Sequence, residues 1–185
     1  MSIDLHAPGI WMQQLANLGY AWPDELRLKP EQRPSSLCFV RRGADVLLLQ
    51  RNYPPFSGRW AAPGGKIEAG EMPVLAAQRE LSEETGLHVE QLTFRGLVAE
   101  SGPVATSNWL LFVFVAHAYS GTLRESGEGP LRWFPRSELG RIGMAPIDLL
   151  LQEYTFSDDP PYWAHVEFDA AERVRRLIVE PLSPV

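Results

Sequence analysis

Three glutamates, Glu80, Glu83 and Glu84, lie close together in the stretch GGKIEAGEMPVLAAQRELSEETGL at 64–87. If this part of the chain is helical, the three side chains fall within an arc of about 100°. Like charges at this spacing repel each other by a few tenths of a kcal/mol per pair. Oxygens of clustered carboxylates are the ligands that hard cations such as Mg²⁺ and Mn²⁺ prefer. The spacing therefore predicts a metal site on one face of a helix.

The residues around the three glutamates support a metal site. Gly64 and Gly65 have no β-carbon, so the backbone can approach a ligand closely, and a free carbonyl could add another oxygen ligand. Arg79 stays protonated and can hold a neighbouring glutamate in a fixed orientation. Glu71, just before the helix, could be that glutamate.

The glutamates need a helix to share a face, and the sequence predicts one over 73–85. Pro73 suits the first helical turn, and Gly86 suits the C-terminal cap. Its apolar stripe is formed by Val74, Ala77 and Leu81.

Strand patterns dominate the rest of the chain from Ser36 onwards. We expect a hairpin around the turn at Gly43-Ala44, strands near 92–100, 107–119 and 130–134, a turn at Ser120-Gly121, a short helix opened by Pro135 and a longer helix over 146–155. The C-terminal segment predicts two strands joined near 169–172. This mixture predicts an α+β fold with a largely buried mixed sheet. We divide the chain into an N-terminal extension at 1–34 and a single domain at 35–185 with a C-terminal β-hairpin tail.

Composition restricts the classes of function. The chain has 185 residues, 45% of them hydrophobic, and a net charge of −6, as expected for a globular protein. The acidic balance argues against a partner that is a nucleic-acid polymer, which would require a broad basic surface. It is compatible with a small phosphorylated ligand neutralised by metal ions.

Compartment and membrane association are also predicted from the sequence. Cys38 is the only cysteine, which excludes an intrachain disulfide, and its apolar surroundings predict a buried thiol in a reducing, cytoplasmic compartment. The first residues lack the basic leader of a signal peptide, and no apolar run approaches the length of a membrane span. We therefore expect no membrane partner.

The motif at 65–87 resembles the signature of the Nudix hydrolases. The order is Gly65, five residues, Glu71, seven residues, Arg79-Glu80-Leu81, one residue, Glu83-Glu84, one residue and Gly86-Leu87, which matches all nine defining positions. The resemblance implies an α/β/α sandwich with a mixed sheet, in which the motif forms a loop–helix–loop catalytic box. It also implies an enzyme that cleaves a nucleoside diphosphate linked to another group.

The same resemblance implies roles for individual residues. Glu83 and Glu84 match the metal ligands, Glu80 matches a ligand or the base that acts on water, and the carbonyl of Gly64 matches a backbone ligand. Arg79 and Glu71 match the supporting pair. The implied cofactor is Mg²⁺, with Mn²⁺ as an alternative, because a divalent cation neutralises phosphate oxygens and lowers the pKa of water. A nearby glutamate would then accept the proton as water attacks phosphorus.

The substrate is less well defined by the sequence. The run LLLQRNYPPFSGRWAAPGGK resembles the 8-oxo-dGTP diphosphatases, which implies a nucleoside triphosphate, including oxidised ones, cleaved to a nucleoside monophosphate and pyrophosphate. In that branch a glutamate before the WF strand completes the metal site; Glu128 is our candidate and Glu125 the second. Asp148 would read the purine edge, unless it is only an early-helix residue favoured by the helix dipole.

Other substrate contacts and other functions stay open at this point. We predict that Phe56, Trp60 and Lys66 bind substrate, and Trp109 could also stack on a base, although aromatic residues in a sheet are more often core. The alternatives are an ADP-ribose or other nucleoside-diphosphate-sugar hydrolase, or a non-catalytic nucleotide sensor. Pro103, sixteen residues after Leu87, is close to but not at the spacing that marks ADP-ribose hydrolases. A small nucleotide is the expected partner, and the chain could form a homodimer.

Overall fold

The computed structural model describes residues 8–29, 31–102 and 108–185. Pro103 lies outside these ranges, so its spacing receives no structural test. The described residues form three α-helices: α1 (Pro8–Asn17), α2 (Pro73–Thr85) and α3 (Pro146–Thr155). A 3-10 helix spans Arg136–Arg141. The strands are β1 (Arg33–Arg42), β2 (Asp45–Gln50), β3 (Trp60–Ala61), β4 (Gly64–Lys66), β5 (Leu87–His88), β6 (Thr93–Ser101), β7 (Trp109–Ala116), β8 (Ser120–Gly121), β9 (Leu131–Pro135), β10 (Tyr162–Phe168) and β11 (Val174–Pro181).

One large mixed sheet organises the molecule. Its strand order is β11-β10-β6-β7-β1-β2-β3, with β4 paired to β1 and β9 paired to β2. The central strands β1 and β7 run parallel, from Arg33 opposite Trp109 to Val40 opposite Ala116. β6 and β10 are also parallel, whereas β6 and β7 are antiparallel. The α+β class and the mixed sheet predicted from the sequence are confirmed.

Helices cover both faces of this sheet because its central strands are apolar on both sides. In β7, Phe112 and Phe114 lie in the cluster that includes Trp11 of α1 and Leu81 of α2. The alternate residues Leu111, Val113 and Val115 lie in the cluster that includes Ile147 and Leu151 of α3. Such two-sided burial is typical of strands sandwiched between helical layers. The predicted sandwich is thereby confirmed.

The segment at Ser120-Gly121 differs from our prediction of a simple turn. It forms the short strand β8, which pairs with β5 directly after α2. Gly121 has φ +93°, and a β-carbon there would lie 2.6 Å from the carbonyl oxygen of Gly86. Glycine at position 121 therefore allows two backbone segments to lie close together and also allows the chain to change direction.

The N-terminal segment packs onto the sheet together with the C-terminal hairpin. Trp11 and Leu15 of α1 are buried in the core. The N–H of Ala21 donates to the carbonyl of Ser183 at 2.8 Å, and the N–H of Val185 donates to the carbonyl of Gly19 at 3.1 Å. β1 begins at Arg33, within the segment that we assigned to the extension.

Two further sequence predictions concern burial and membrane association. Cys38 is buried, as predicted, and burial raises the pKa of its thiol to about 12. Within the described ranges, no helix combines the length and apolarity needed to cross a membrane.

Candidate active site

Gly65, in the strand β4 that precedes α2, lies close to the helix. The hydroxyl of Ser35 on β1 donates to the carbonyl of Gly65 at 2.6 Å, which fixes β4 against the sheet. A β-carbon on Gly65 would lie only 2.5 Å from both carboxylate oxygens of Glu80. Glycine at this position therefore provides the space that the Glu80 carboxylate occupies.

Helix α2 forms over the predicted residues. Pro73 is at its first turn, and Gly86 ends it with φ 73° and an N–H that donates to the carbonyl of Ser82 at 2.9 Å. Ala77 and Leu81 are buried against the sheet, as the apolar stripe predicts. The opposite edge of the helix carries the glutamates.

Arg79 connects the loop to the helix. Its guanidinium donates from Nε and Nη2 to the two carboxylate oxygens of Glu71, at 2.8 and 2.9 Å. Nη2 also donates to the carbonyl of Lys66 at 3.0 Å, and Nη1 donates to Glu80 at 2.8 Å. These contacts lower the pKa of the Glu71 carboxyl. The supporting pair predicted from the sequence is thus in contact.

Glu84 is the most deeply buried glutamate of the motif, with 7% of its surface exposed. Its Oε2 accepts a hydrogen bond of 2.9 Å from the N–H of Gly64. Burial, together with the negative charges of Glu80 and Glu128, raises the pKa of Glu84 to about 8, against the opposing effect of Gly64 and Arg51. A carboxylate in this position is stabilised by added positive charge.

The other two glutamates of the motif differ in exposure. Glu80 lies in the cleft beside Glu84, and burial raises its pKa while Arg79 opposes that rise. The Glu83 side chain is 61% exposed, 3.5 Å from Arg79, and lies outside the cleft lining. The three side chains share an edge of α2, but only two of them line the cleft.

Of the two candidates in the loop before β9, Glu128 lines the cleft. The loop is held to the end of β2, where the N–H of Asn52 donates to the carbonyl of Glu128 at 2.8 Å. Glu125 instead accepts a hydrogen bond of 3.3 Å from the N–H of Leu131 and does not line the cleft. Glu128 therefore remains the candidate ligand.

The cleft has a volume of about 700 Å³. Its lining combines acidic, basic and apolar groups. The acidic residues are Glu80, Glu84, Glu100, Glu128 and Asp148; the basic residues are Arg33, Arg51 and Lys66; the aromatic residues are Phe56 and Trp109.

Three of the four residues predicted to bind substrate line this cleft: Phe56, Lys66 and Asp148. Trp60 does not. Its ring lies against Phe134, with centroids 4.7 Å apart, because β3 pairs with β2 and turns this side chain toward the core on the α3 side. The prediction for Trp60 has no support from its position.

The cleft lining also includes Arg51 and Glu100, which we had not predicted, and Trp109, which we had named only as a residue that could stack on a base. Arg51 follows β2 and lowers the pKa of both Glu84 and Asp148, so its charge lies near both carboxyls. Glu100 is the penultimate residue of β6 and pairs with Trp109, the first residue of β7. The guanidinium of Arg33 lies over the ring of Trp109, 4.1 Å from the ring centroid. The sequence around Arg51 and Glu100 shows an ordinary strand pattern, which does not indicate that these side chains face a cleft.

The family follows from this motif, its geometry and a match to a family model. The model of the NUDIX domain matches residues 31–156, more than half of the chain. The protein belongs to the Nudix family. It is a Nudix hydrolase, an enzyme, which removes the non-catalytic sensor from the alternatives.

Three named relatives are similar in sequence. An uncharacterised Nudix hydrolase of Bacillus subtilis is 37% identical over 115 residues, covering 60% of this chain and 71% of the relative. A putative 8-oxo-dGTP diphosphatase of Mycobacterium tuberculosis is 36% identical, covering 59% and 77%. The human 8-oxo-dGDP phosphatase is 39% identical and covers 55% of this chain, but the match spans only 31% of the human protein.

A solved structure supports the same Nudix fold. The MutT protein of Bacillus halodurans superposes with a TM-score of 0.71 and 29% identity, covering 80% of this chain and 97% of that protein. The match therefore includes nearly all of the bacterial protein and leaves about a fifth of this chain outside it.

Nudix hydrolases generally use divalent cations such as Mg²⁺. The donor set here fits such an ion in its chemistry: Glu80, Glu84 and Glu128 supply hard oxygens, and their mutual repulsion favours a cation. Across the described residues, no three acidic, histidine or cysteine side chains are arranged closely enough to hold an ion. Glu83, which the resemblance assigned as a metal ligand, lies outside the cleft in this arrangement.

Proposed function

We propose that the protein is a metal-dependent pyrophosphohydrolase that cleaves nucleoside triphosphates, including oxidised ones such as 8-oxo-dGTP. The products would be a nucleoside monophosphate and pyrophosphate. The observation that carries this proposal is one cleft that holds Glu80 and Glu84 of the motif together with basic and aromatic groups of β1, β4, β7 and the loop after β2. Acidic and basic parts of one cleft can take a phosphate chain, a cation and a base at the same time.

Within this proposal, the motif residues hold the cation and the water. Glu83, Glu84, Glu128 and the Gly64 carbonyl would hold Mg²⁺ or Mn²⁺. When bound, the cation supplies charge neutralisation for the phosphate oxygens and increases the acidity of nearby water. Arg79 keeps Glu80 oriented through the 2.8 Å hydrogen bond to its carboxylate.

Glu80 is our candidate for the general base. Burial raises the pKa of its carboxyl above the usual range, which brings it closer to the pH at which a base is most effective. Water would attack a phosphorus, its proton would pass to Glu80, and the bond from that phosphorus to the bridging oxygen would break. Pyrophosphate would leave with the negative charge, near the basic groups of the cleft.

The remaining cleft residues would hold the substrate. Arg51 and Lys66 offer positive charge to the phosphates, and Arg forms directed hydrogen bonds to phosphate oxygens. Phe56 and Trp109 present aromatic rings that could stack on the base.

A substrate screen tests the proposal. Purified protein with Mg²⁺ or Mn²⁺ is incubated with dNTPs, 8-oxo-dGTP, 8-oxo-dGDP, ADP-ribose, NADH and dinucleoside polyphosphates, and products are separated by anion-exchange chromatography. The diphosphate is included because the human relative is named for it. We expect fastest turnover of triphosphates to monophosphate and pyrophosphate. Comparable or faster cleavage of ADP-ribose would favour the nucleoside-diphosphate-sugar alternative instead.

A variant pair links any turnover to the motif. Glu84→Gln keeps the shape of the side chain and can still accept the Gly64 hydrogen bond, but it removes the negative charge. We expect kcat to fall by roughly 100-fold or more. The matched control is Glu153→Gln on the exposed side of α3, which should retain wild-type turnover. Equal activity of both variants would exclude the motif as the site of hydrolysis.

A further inference from the structure

Glu100 is a buried acid that the functions described above leave unused. It is the penultimate residue of β6, only 3% of its surface is exposed, and it lines the cleft. Its backbone carbonyl accepts a hydrogen bond of 3.1 Å from Gln32. Among the described residues, burial and the charge of Asp148 are the influences on its carboxyl, and no hydrogen bond to it contributes.

A buried carboxyl without such a partner destabilises a fold. Removing a carboxylate from water without a hydrogen bond from the protein disfavours its charged form, and the raised pKa of Glu100 reflects this. An apolar residue would suit the end of a strand whose preceding residues, Leu97, Val98 and Ala99, are all buried and apolar. The carboxyl at position 100 is therefore better explained by something that enters the cleft than by the packing of β6.

Asp148 is the acid whose charge acts on Glu100. Asp148 is also 3% exposed, lines the same cleft, and is fixed at the start of α3 by a 2.7 Å hydrogen bond from the N–H of Ala62. Burial raises the pKa of Asp148 to about 7, with Ala62 and Arg51 opposing the rise. Burial, together with the charge of Asp148, also raises the pKa of Glu100 to about 8.

We propose that Glu100 is a specificity-determining residue that, together with Asp148, binds the hydrogen-bonding edge of a guanine-type base. The inference deepens the proposed function and rests on it, because it assigns the base of the nucleotide substrate. At pH 7 the Glu100 carboxyl carries a proton, so the two acids offer one O–H donor as well as acceptor oxygens.

Guanine matches this set of donors and acceptors. Its Watson–Crick edge presents two N–H donors beside one carbonyl acceptor. An ionised carboxylate at Asp148 would accept from the N–H groups, and the protonated carboxyl of Glu100 would donate to the carbonyl. In the same orientation, adenine presents an amino group where guanine has its carbonyl, and a bare ring nitrogen where guanine has an N–H. Both acids would then lose the hydrogen bonds that they form with guanine. Discrimination of this kind depends on polar groups that the wrong base leaves without a partner.

The stacking surface next to Glu100 agrees with this assignment. Glu100 is directly opposite Trp109 in the pairing of β6 with β7, and both residues line the cleft. Aromatic rings next to hydrogen-bonding groups are the usual environment of a bound base.

The test compares kcat/KM for dGTP, 8-oxo-dGTP and dATP in wild type, Glu100→Leu and Glu100→Gln. We expect Glu100→Leu to lower the guanine values roughly 10- to 100-fold and the dATP value less than about threefold. Glu100→Gln, whose amide can still donate, should retain most of the guanine preference. Glu153→Leu and Glu153→Gln, at an exposed site on α3, are the matched controls.

Melting temperature separates recognition from a structural role. Glu100→Leu removes a buried acid that has no hydrogen bond from the protein, so the melting temperature of this variant should stay unchanged or rise. A lower melting temperature with equal losses for guanine and adenine substrates would overturn the inference and assign Glu100 to the fold.

Failure of the proposed function gives a different result. In that case the wild type would cleave no nucleoside triphosphate, whichever base the nucleotide carries. Binding of GMP and AMP, measured by calorimetry in wild type and Glu100→Leu, would then decide the inference by itself. A preference for GMP that the leucine variant loses supports it, and equal affinities for the two nucleotides overturn it.

Discussion

At the scale of single residues, the active-site carboxylates act against the stability of the fold. Glu84 is 7% exposed and lies near the charges of Glu80 and Glu128, so its ionised form is disfavoured in the folded state. A fold without a ligand would be more stable with neutral groups there. Negative charge concentrated at a buried site is explained by the cation that the family uses.

The raised pKa of Glu84 predicts a specific dependence of stability on pH. The pKa is about 8 in the folded protein against 4.5 ordinarily. Below pH 4.5 the group is protonated in both states and has no effect. Between pH 4.5 and 8 the unfolded state releases the proton more readily, so stability falls as pH rises.

Glu84→Gln removes this effect. In the absence of divalent cations, we expect the variant to be more stable than wild type at pH 8, by on the order of a few kcal/mol, and equally stable near pH 4.5. Urea denaturation followed by circular dichroism in EDTA measures both values. Mg²⁺ should then stabilise wild type more than the variant. A variant less stable than wild type at pH 8 would show that ionised Glu84 is well accommodated without a cation.

At the scale of elements, the loop and helix of the motif act as one unit because Arg79 joins them. One guanidinium contacts Glu71 in the loop, Glu80 on the helix and the carbonyl of Lys66 at the end of β4. Only a planar group with several donors can reach all three. The position of Glu80 relative to the glycine loop therefore depends on the shape of this side chain as well as on its charge.

Arg79→Lys tests this dependence on shape. The ammonium keeps the positive charge but cannot form the paired hydrogen bonds to Glu71, so we expect kcat to fall by roughly 10- to 100-fold, with a small change in melting temperature. Arg141→Lys in the exposed part of the 3-10 helix is the control. If Arg79→Lys retained full kcat, charge alone would account for the role of Arg79.

Local signals explain why the motif helix could be predicted and Trp60 could not. Pro73, Gly86 and the charge spacing are all encoded within one segment, so α2 and its carboxylates followed from the sequence. The direction of Trp60 depends on the pairing of β3 with β2, which brings residues ten or more positions apart together. Glu100 likewise enters the cleft only because β6 lies next to β7 in the sheet, and its own stretch, LVAES, reads as an ordinary buried strand.

At the scale of the whole molecule, segments outside the matched family region extend the same core. β10 pairs with β6 and β11 with β10, so the hairpin at 162–181 widens the sheet beyond residues 31–156. The N-terminal segment contacts the end of that hairpin through the pairing of Tyr20 with Pro184. Chain ends tied together in this way are expected to unfold with the domain that they cover.

Trp11 provides the test of this single unfolding unit. Its side chain is 3% exposed, and its ring centroid is 6.0 Å from that of Phe112 on the central strand β7. Trp11→Ala should therefore lower the free energy of unfolding by about 3–5 kcal/mol in one transition. Met12→Ala, the next residue of α1 and 43% exposed, should change it by less than about 0.5 kcal/mol. Urea denaturation followed by far-UV circular dichroism compares the two variants with wild type. A separate early transition in Trp11→Ala, with an unchanged midpoint of the main transition, would mean that the N-terminal segment folds independently of the sheet.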